Sequence, residues 1–413
     1  MDSKIFKSQE RTQFFQNSGL PFWDAYYQIG ENKKVFYSYA LYMCRKEDPK
    51  LIRQIQIATV AVAEVFDKVL KSIKKWKEED LERWGFSKEY YSFYKVNWDD
   101  IFCFRAGWGI ENGNLKLLEI NSQTPSFWFE PEQGNKLLAQ HFVLADPTPG
   151  SDKYLAFALN QSIAQSLKRL PTIPKDPRIG FVTCDYYEDL EIMKWLSQYC
   201  DFKFDIMKID QLDFRKSNDV PFNNDTKKDL DCIIFWHPIE WLPEMKFTNG
   251  ESFFKVFISS LEKQRFALPH AISAFFIQPK TILAYITKNK RKIFTGKLKS
   301  AEKYFLRTYY KENPFKTNYI AKPVWGREGR GAYIDNGQIV RSRYQEYYYV
   351  KQEKVFQELV TLPKIPVGNY NVTAIYESWV YKVGKWYVPG AVGLRGSEHL
   401  ITDDFSYWIP IGV

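Results

Sequence analysis

The sequence predicts an α/β protein of more than one domain, and three observations carry that prediction. Residues 178–183 and 230–236 read as buried-type strands with an amphipathic helix over 189–199 between them, the βαβ order of a parallel sheet. Two further strands flank Asn112 and Gly113, a dipeptide that supplies the positive φ a two-residue hairpin turn needs. A strand carrying Lys322 then runs into a loop with Gly326, Gly329 and Gly331. At 413 residues the chain exceeds the roughly 250–300 residues at which single cores stop growing.

Taken in order, Asp48 and Pro49 read as an N-cap with proline at the first helical position. They open a long helix whose Ile52, Ile55, Val62, Val65, Phe66, Val69 and Ile73 recur near the helical period. The hairpin over residues 98–129 follows, and it brings Arg105 and Glu119 near each other across the ladder. Proline-bounded residues 171–177 separate this part from the βαβ unit. Residues 213–229, rich in Asn, Asp and Lys, read as a loop. Beyond residue 270 come a lysine-rich helix, the Lys322 strand, a short strand through Gln357 and a hairpin around Gly384. The expected division is residues 1–171 for the helical region and first hairpin, 172–268 for a Rossmann-like layer, and 269–413 for a nucleotide-holding region.

The candidate site begins with Glu119 and Asn121. Side chains alternate across a strand, so these two project to one face while Leu118 and Ile120 point to the core. Hard oxygens at that spacing suit Mg²⁺, which takes one or two protein ligands and completes its shell with water and phosphates. Alone, such a pair is more often a surface feature; beside a phosphate loop it reads as a metal site. Glycines let backbone N–H groups approach an anion, and Lys322 adds a point charge. The loop is neither a Walker A nor a dinucleotide fingerprint, since no Gly-Lys-[Ser/Thr] follows and no helix opens on it. Gln357, Glu358 and Leu359 end a short apolar strand suited to an adenine edge.

Composition agrees with a multi-domain enzyme without choosing one: 45% of residues are hydrophobic and 26% charged. The net charge of +9 would attract anions, and its densest run spans Lys288 to Lys299. No nucleic-acid signature accompanies that run, so it reads as a solvated face and nucleic acid is not an expected partner. The five cysteines are scattered with no Cys-x-x-Cys, which predicts a reducing, cytoplasmic setting. No apolar run reaches the roughly 18 residues of a membrane span, and the first residues do not read as a signal peptide. The four histidines show no metal spacing.

These motifs resemble the synthetase half of glutathionylspermidine synthase and its shorter homologues, an ATP-grasp ligase family. The resemblance spans nearly the whole chain. Arg105 stands fourteen residues ahead of Glu119 in a Glu-x-Asn strand, followed by a turn with Thr124 and Ser126. Lys280 sits in a Pro-Lys-Thr segment, Lys322 opens a Lys-Pro-x-x-Gly-Arg-x-Gly loop through Gly326, Arg327 and Gly329, Gln357-Glu358-Leu359 follows, and Leu394-Arg395-Gly396 closes the series. The resemblance implies an ATP-grasp fold with a pre-ATP-grasp layer over residues 172–268, and ATP with Mg²⁺ as cofactors. Glu119 and Asn121 would hold metal, and Lys280, Lys322, Gly326, Arg327, Gly329, Gln357, Glu358 and Leu359 the nucleotide. Arg105 and Arg395 would stabilise the acyl phosphate and tetrahedral intermediate, and Thr124 and Ser126 would bind the acyl substrate.

One departure is as informative as the matches. The family pattern has an Asp two residues after the Arg, completing the metal site, and this chain has Gly107. Asp99, Asp100 and Glu111 are the nearby carboxylates that could stand in. The activity implied is ATP-dependent amide formation between a small-molecule or short-peptide carboxylate and an amine, polyamines included. The amidase domain of bifunctional members is not expected in a chain this short, and residues 122–125 depart from the family's usual turn, so the acyl substrate can differ. The rival readings are a degenerate homologue that binds nucleotide without ligation and a basic nucleic-acid binder.

Overall fold

The computed structural model describes residues 3–5, 8–20, 26–29, 32–35, 43–96, 98–367, 370–403 and 406–413. Three sheets organise it. The central one is antiparallel and six-stranded. Its order runs Tyr407–Ile409, Trp386–Ser397, Tyr370–Val383, Cys103–Glu111, Asn114–Asn121, with Lys364–Val367 pairing off Tyr370–Val383. The predicted hairpin is thus its edge. Asn112 (φ 49°) and Gly113 (φ 76°) form the turn in the left-handed conformations that this dipeptide tolerates. The hairpin around Gly384 joins the same sheet from the other end of the chain.

Helix Pro49–Ile73 packs on this sheet through the apolar stripe read from the sequence, each of those positions being buried. The Asp48 side chain accepts from the Lys50 N–H as N-cap. A polar knot crosses the interface: the Trp108 indole donates to the hydroxyls of Ser378 (2.8 Å) and Thr59 (3.1 Å), which also bond to each other. Buried hydroxyls cost little here because each finds a partner.

The βαβ unit appears as a three-stranded parallel sheet in the order Cys232–Trp236, Arg178–Thr183, Lys203–Lys208. Its crossover helix is Tyr187–Ser197, starting and ending two residues earlier than the periodicity predicts. The segment 213–229, expected as a loop, contributes a small hairpin instead, Leu212–Phe214 with Pro221–Asn223. Apolar residues inside that polar stretch explain the difference: Phe214 and Phe222 are buried. The third sheet is five-stranded and antiparallel, in the order Thr308–Tyr310, Lys354–Glu358, Tyr319–Pro323, Tyr333–Asp335, Ile339–Arg341. It pairs the Lys322 strand with the Gln357 strand, Lys322 standing opposite Val355. Among the described residues no helix is long and apolar enough to cross a membrane.

Aromatic stacks bind these layers together. Trp128 lies between Trp379 of the central sheet (centroids 4.1 Å, 8°) and Trp236 of the parallel sheet (5.4 Å, 22°). Trp325, just past the Lys322 strand, stacks on Phe275 (5.0 Å, 15°) of helix Ala271–Ile277. Such rings combine large buried area with a preferred offset geometry. Trp128→Ala should therefore lower stability by about 3–5 kcal/mol, read as a shift of the urea midpoint, because it empties the joint between two sheets.

Candidate active site

One cavity of about 280 Å³ lies where the three sheets meet, and every sequence-predicted site residue lines it. None of the four histidines does. The central sheet provides its floor through Arg105, Glu119, Asn121 and Arg395, the third sheet one wall through Lys322 and Gln357, and the glycine loop another.

The floor depends on a β-bulge. Arg105 pairs with Asn121 and Gly107 with Glu119, so Arg105 and Glu119 are diagonal neighbours and not the directly opposed pair. The register then shifts, Trp108 facing Leu117, which makes Leu118 the extra residue. Before the shift Leu115 and Leu117 point into the core; after it Ile120 does, while Glu119 and Asn121 face the cavity. Leu118, expected in the core by plain alternation, lines the cavity, and its carbonyl accepts from Lys322 Nζ at 2.9 Å.

Cations converge on Glu119. Lys280 Nζ lies 3.4 Å and Lys322 Nζ 3.8 Å from its Oε2. Burial alone would raise the Glu119 carboxyl; Lys280, Lys322 and Arg105 outweigh it and bring it down to about 2. Burial likewise pulls Lys322 down to about 8, Glu119 opposing and Lys280 assisting the fall. Lys280, itself buried, also donates to the Gly326 carbonyl at 2.6 Å, linking the glycine loop to Glu119.

Sequence reasoning missed Glu377. It is buried in strand Tyr370–Val383 directly opposite Gly107. Its Oε2 is 3.1 Å from Arg105 Nε and its Oε1 3.5 Å from Arg395 Nη1, so one carboxylate aligns both candidate catalytic arginines. Burial raises this carboxyl against the pull of the two arginines. The available signal was a lone acid within a strand rich in apolar and aromatic residues. Asp99, Asp100 and Glu111 do not stand in for the absent Asp. Asp99 pairs with Arg169 (3.0 Å), Asp100 with Lys382 (2.8 Å), Glu111 accepts from the Thr361 N–H (2.9 Å), and none lines the cavity.

The glycine loop is tightly built. A Cβ on Gly329 (φ 67°) would lie 2.4 Å from the Thr402 carbonyl, and one on Gly331 (φ 68°) 2.9 Å from the Tyr349 backbone. Arg327 Nε and Nη2 both meet Glu240 Oε1 (3.0 and 2.7 Å), while Nη1 donates to Thr124 Oγ1 at 2.9 Å. Glu240 Oε2 accepts from Gln123 Nε2 at 2.9 Å. Gln278 Oε1 accepts the N–H groups of Ser122 (2.8 Å) and Gln123 (3.1 Å), and His270 binds the Ser122 carbonyl. The Thr124–Ser126 turn is thereby fixed, with the Ser126 carbonyl accepting from Arg105. On the opposite wall Glu358 pairs with Arg307 at 2.8 Å, and the Leu359 N–H donates to the Asn318 carbonyl.

The donor set fits a hard cation on one count: Asn121 Oδ1 is buried and has no hydrogen-bond partner among the described residues, beside a carboxylate held ionised. Among the described residues no cluster of three or more His, Cys, Asp or Glu could hold a metal.

With this geometry in place, the comparisons are specific about kind. The family model for the glutathionylspermidine synthase pre-ATP-grasp family matches residues 50–413, and the chain belongs to that family. Its fold is the α/β ATP-grasp type: a solved structure of a glutathione synthetase like-effector (GSS30) from Globodera pallida, in apoform, is similar to it. The TM-score is 0.62 at 14% identity, covering 98% of this chain and 96% of that one. No curated protein matches.

Two outcomes follow from the charges. Glu240→Ala leaves the Arg327 guanidinium buried without its partner and should cost about 3–5 kcal/mol, with part of that recovered in the Glu240→Ala, Arg327→Ala double variant. The second concerns pH. The unfolded chain keeps a proton on Lys322 between about 8 and its ordinary 10.5, which the folded protein has shed, so stability should rise with pH across that window. Lys322→Met should lose that gain, on the order of 3 kcal/mol in urea titrations at successive pH values.

Proposed function

We propose that the protein is an ATP-dependent carboxylate–amine ligase. The observation that carries the reading is the convergence on one cavity of two lysines and a glycine loop, a charged carboxylate beside an unpartnered amide oxygen, and two arginines aligned on one acid.

Lys280, Lys322 and the loop from Gly326 to Gly329 would hold the triphosphate, with the Gln357–Leu359 segment along the base. Mg²⁺ held by Glu119 and Asn121 would neutralise charge on the phosphates. Phosphoryl transfer asks a protein for positioning and electrostatics more than for covalent help. A substrate carboxylate oxygen on the Thr124–Ser126 turn attacks the γ-phosphorus and ADP leaves. An amine nitrogen then attacks the acyl carbon, the C–O bond to phosphate breaks, and the amine gives up a proton. Arg105 and Arg395, fixed by Glu377, would stabilise the oxyanions of both steps, a role suited to planar, permanently charged donors. Glu188 and Asp189 give the cavity an acidic end for a cationic amine, and burial with Glu188 raises Asp189 to about 7, where it can accept that proton.

Gly107 favours a second reading, a family member that binds nucleotide and does not ligate. One experiment separates them: ADP release with Mg²⁺ and pools of short peptides, amino acids and polyamines. The ligase should release ADP only with substrates, and Lys322→Ala and Glu119→Ala should each lose at least about 100-fold, as expected when a transition-state charge contact is removed. Nucleotide binding without turnover under every substrate pool would establish the second reading.

A further inference from the structure

We propose that Glu377 supplies the carboxylate that position 107 lacks, so that a divalent cation bound with the nucleotide seats over Gly107 between Glu377, Glu119 and Asn121. This rests on the nucleotide reading above.

The geometry is that of three adjacent strands. Gly107 lies in the middle one, paired with Glu119 on one side and Glu377 on the other. A Cβ built on Gly107 would lie 3.5 Å from Glu377 Oε2 and 3.9 Å from Glu119 Cγ, with nothing closer among the described residues outside its chain neighbours. The two acids therefore flank one small space that no described side chain fills. All these residues line the cavity, and Asn121, paired with Arg105 one pleat along, adds its unpartnered Oδ1. Two carboxylates and an amide oxygen make a hard-donor set suited to Mg²⁺ or Mn²⁺, with water and phosphate oxygens completing the shell. The arginines do not disqualify Glu377. A carboxylate has about four lone-pair directions, and ligating carboxylates are themselves held by hydrogen-bond donors around them.

The charge balance adds a condition. Arg105, Arg395, Lys280 and Lys322 surround the two acids, so a cation alone would enter a positive environment. Nucleotide phosphates reverse that balance. Metal binding is thus coupled to nucleotide binding, and each strengthens the other by the same factor.

The test is Mn²⁺ titration followed by electron paramagnetic resonance, with and without ADP, on wild type, Glu377→Gln, Glu377→Asp and Gly107→Asp combined with Glu377→Gln. ADP binding is measured separately without metal. Wild type should bind Mn²⁺ tightly only with ADP present. Glu377→Gln should weaken that binding at least about tenfold, and Gly107→Asp should restore it. Glu377→Asp keeps the charge between the arginines while withdrawing the oxygens, so it should fold and show an intermediate loss, deciding the matter if the Gln variant does not fold. Unchanged Mn²⁺ affinity in the Glu377 variants, or no rescue by Gly107→Asp, with ADP binding intact, overturns the assignment and leaves the nucleotide reading standing. Failure of wild type to bind ADP at all overturns both.

Discussion

Everything at the centre of this protein depends on one electrostatic constraint: two acids, Glu119 and Glu377, share the floor of one cavity and must be met by cations. Glu377 is buried, and a carboxylate withdrawn from water costs several kcal/mol unless opposite charge and hydrogen-bond donors replace the solvent, whereas Glu119 stays open to the cavity. Here the replacement comes from separate parts of the chain. Arg105 and Arg395 stand on the same sheet, Lys322 reaches in from the five-stranded sheet, and Lys280 stands at the start of helix Thr281–Lys288. The charges meet where the three layers meet.

The second constraint is mechanical. The glycine loop is pinned by close backbone approaches to Thr402 and Tyr349 and by the Arg327–Glu240 ion pair, whose acid also grips Gln123. Loop, parallel layer and the Thr124–Ser126 turn therefore form one connected polar network. Partial disruption of such a network is costly because its members are left unpaired in low dielectric. The glycines that read in sequence as room for phosphate are needed equally as room for neighbouring backbone.

Much of the floor was legible in advance because a strand and a hairpin turn have fixed periods. Asn112 and Gly113 set the turn, and the turn put Arg105 and Glu119 within one pleat of each other. Alternation failed at Leu118, since a bulge inserts one residue and inverts the faces beyond it, and no residue type in that run marks a bulge. Glu377 was out of reach for a different reason: 270 residues separate it from its partner Gly107, and only sheet pairing brings them together. The short strands at Phe214 and Phe222 were hidden by the polar residues around them.

By itself the sequence determined the chemical inventory: which lysines, arginines and acids exist, their order, and the strands and helices that carry them, because local periodicity and turn chemistry are written in adjacent residues. Tertiary structure decided which of those groups meet. It opposed Gly107 with Glu377, turned Arg327 onto Glu240, and gathered the lysines around Glu119. Those outcomes follow from strand register and the packing of three layers, which no stretch of adjacent residues encodes.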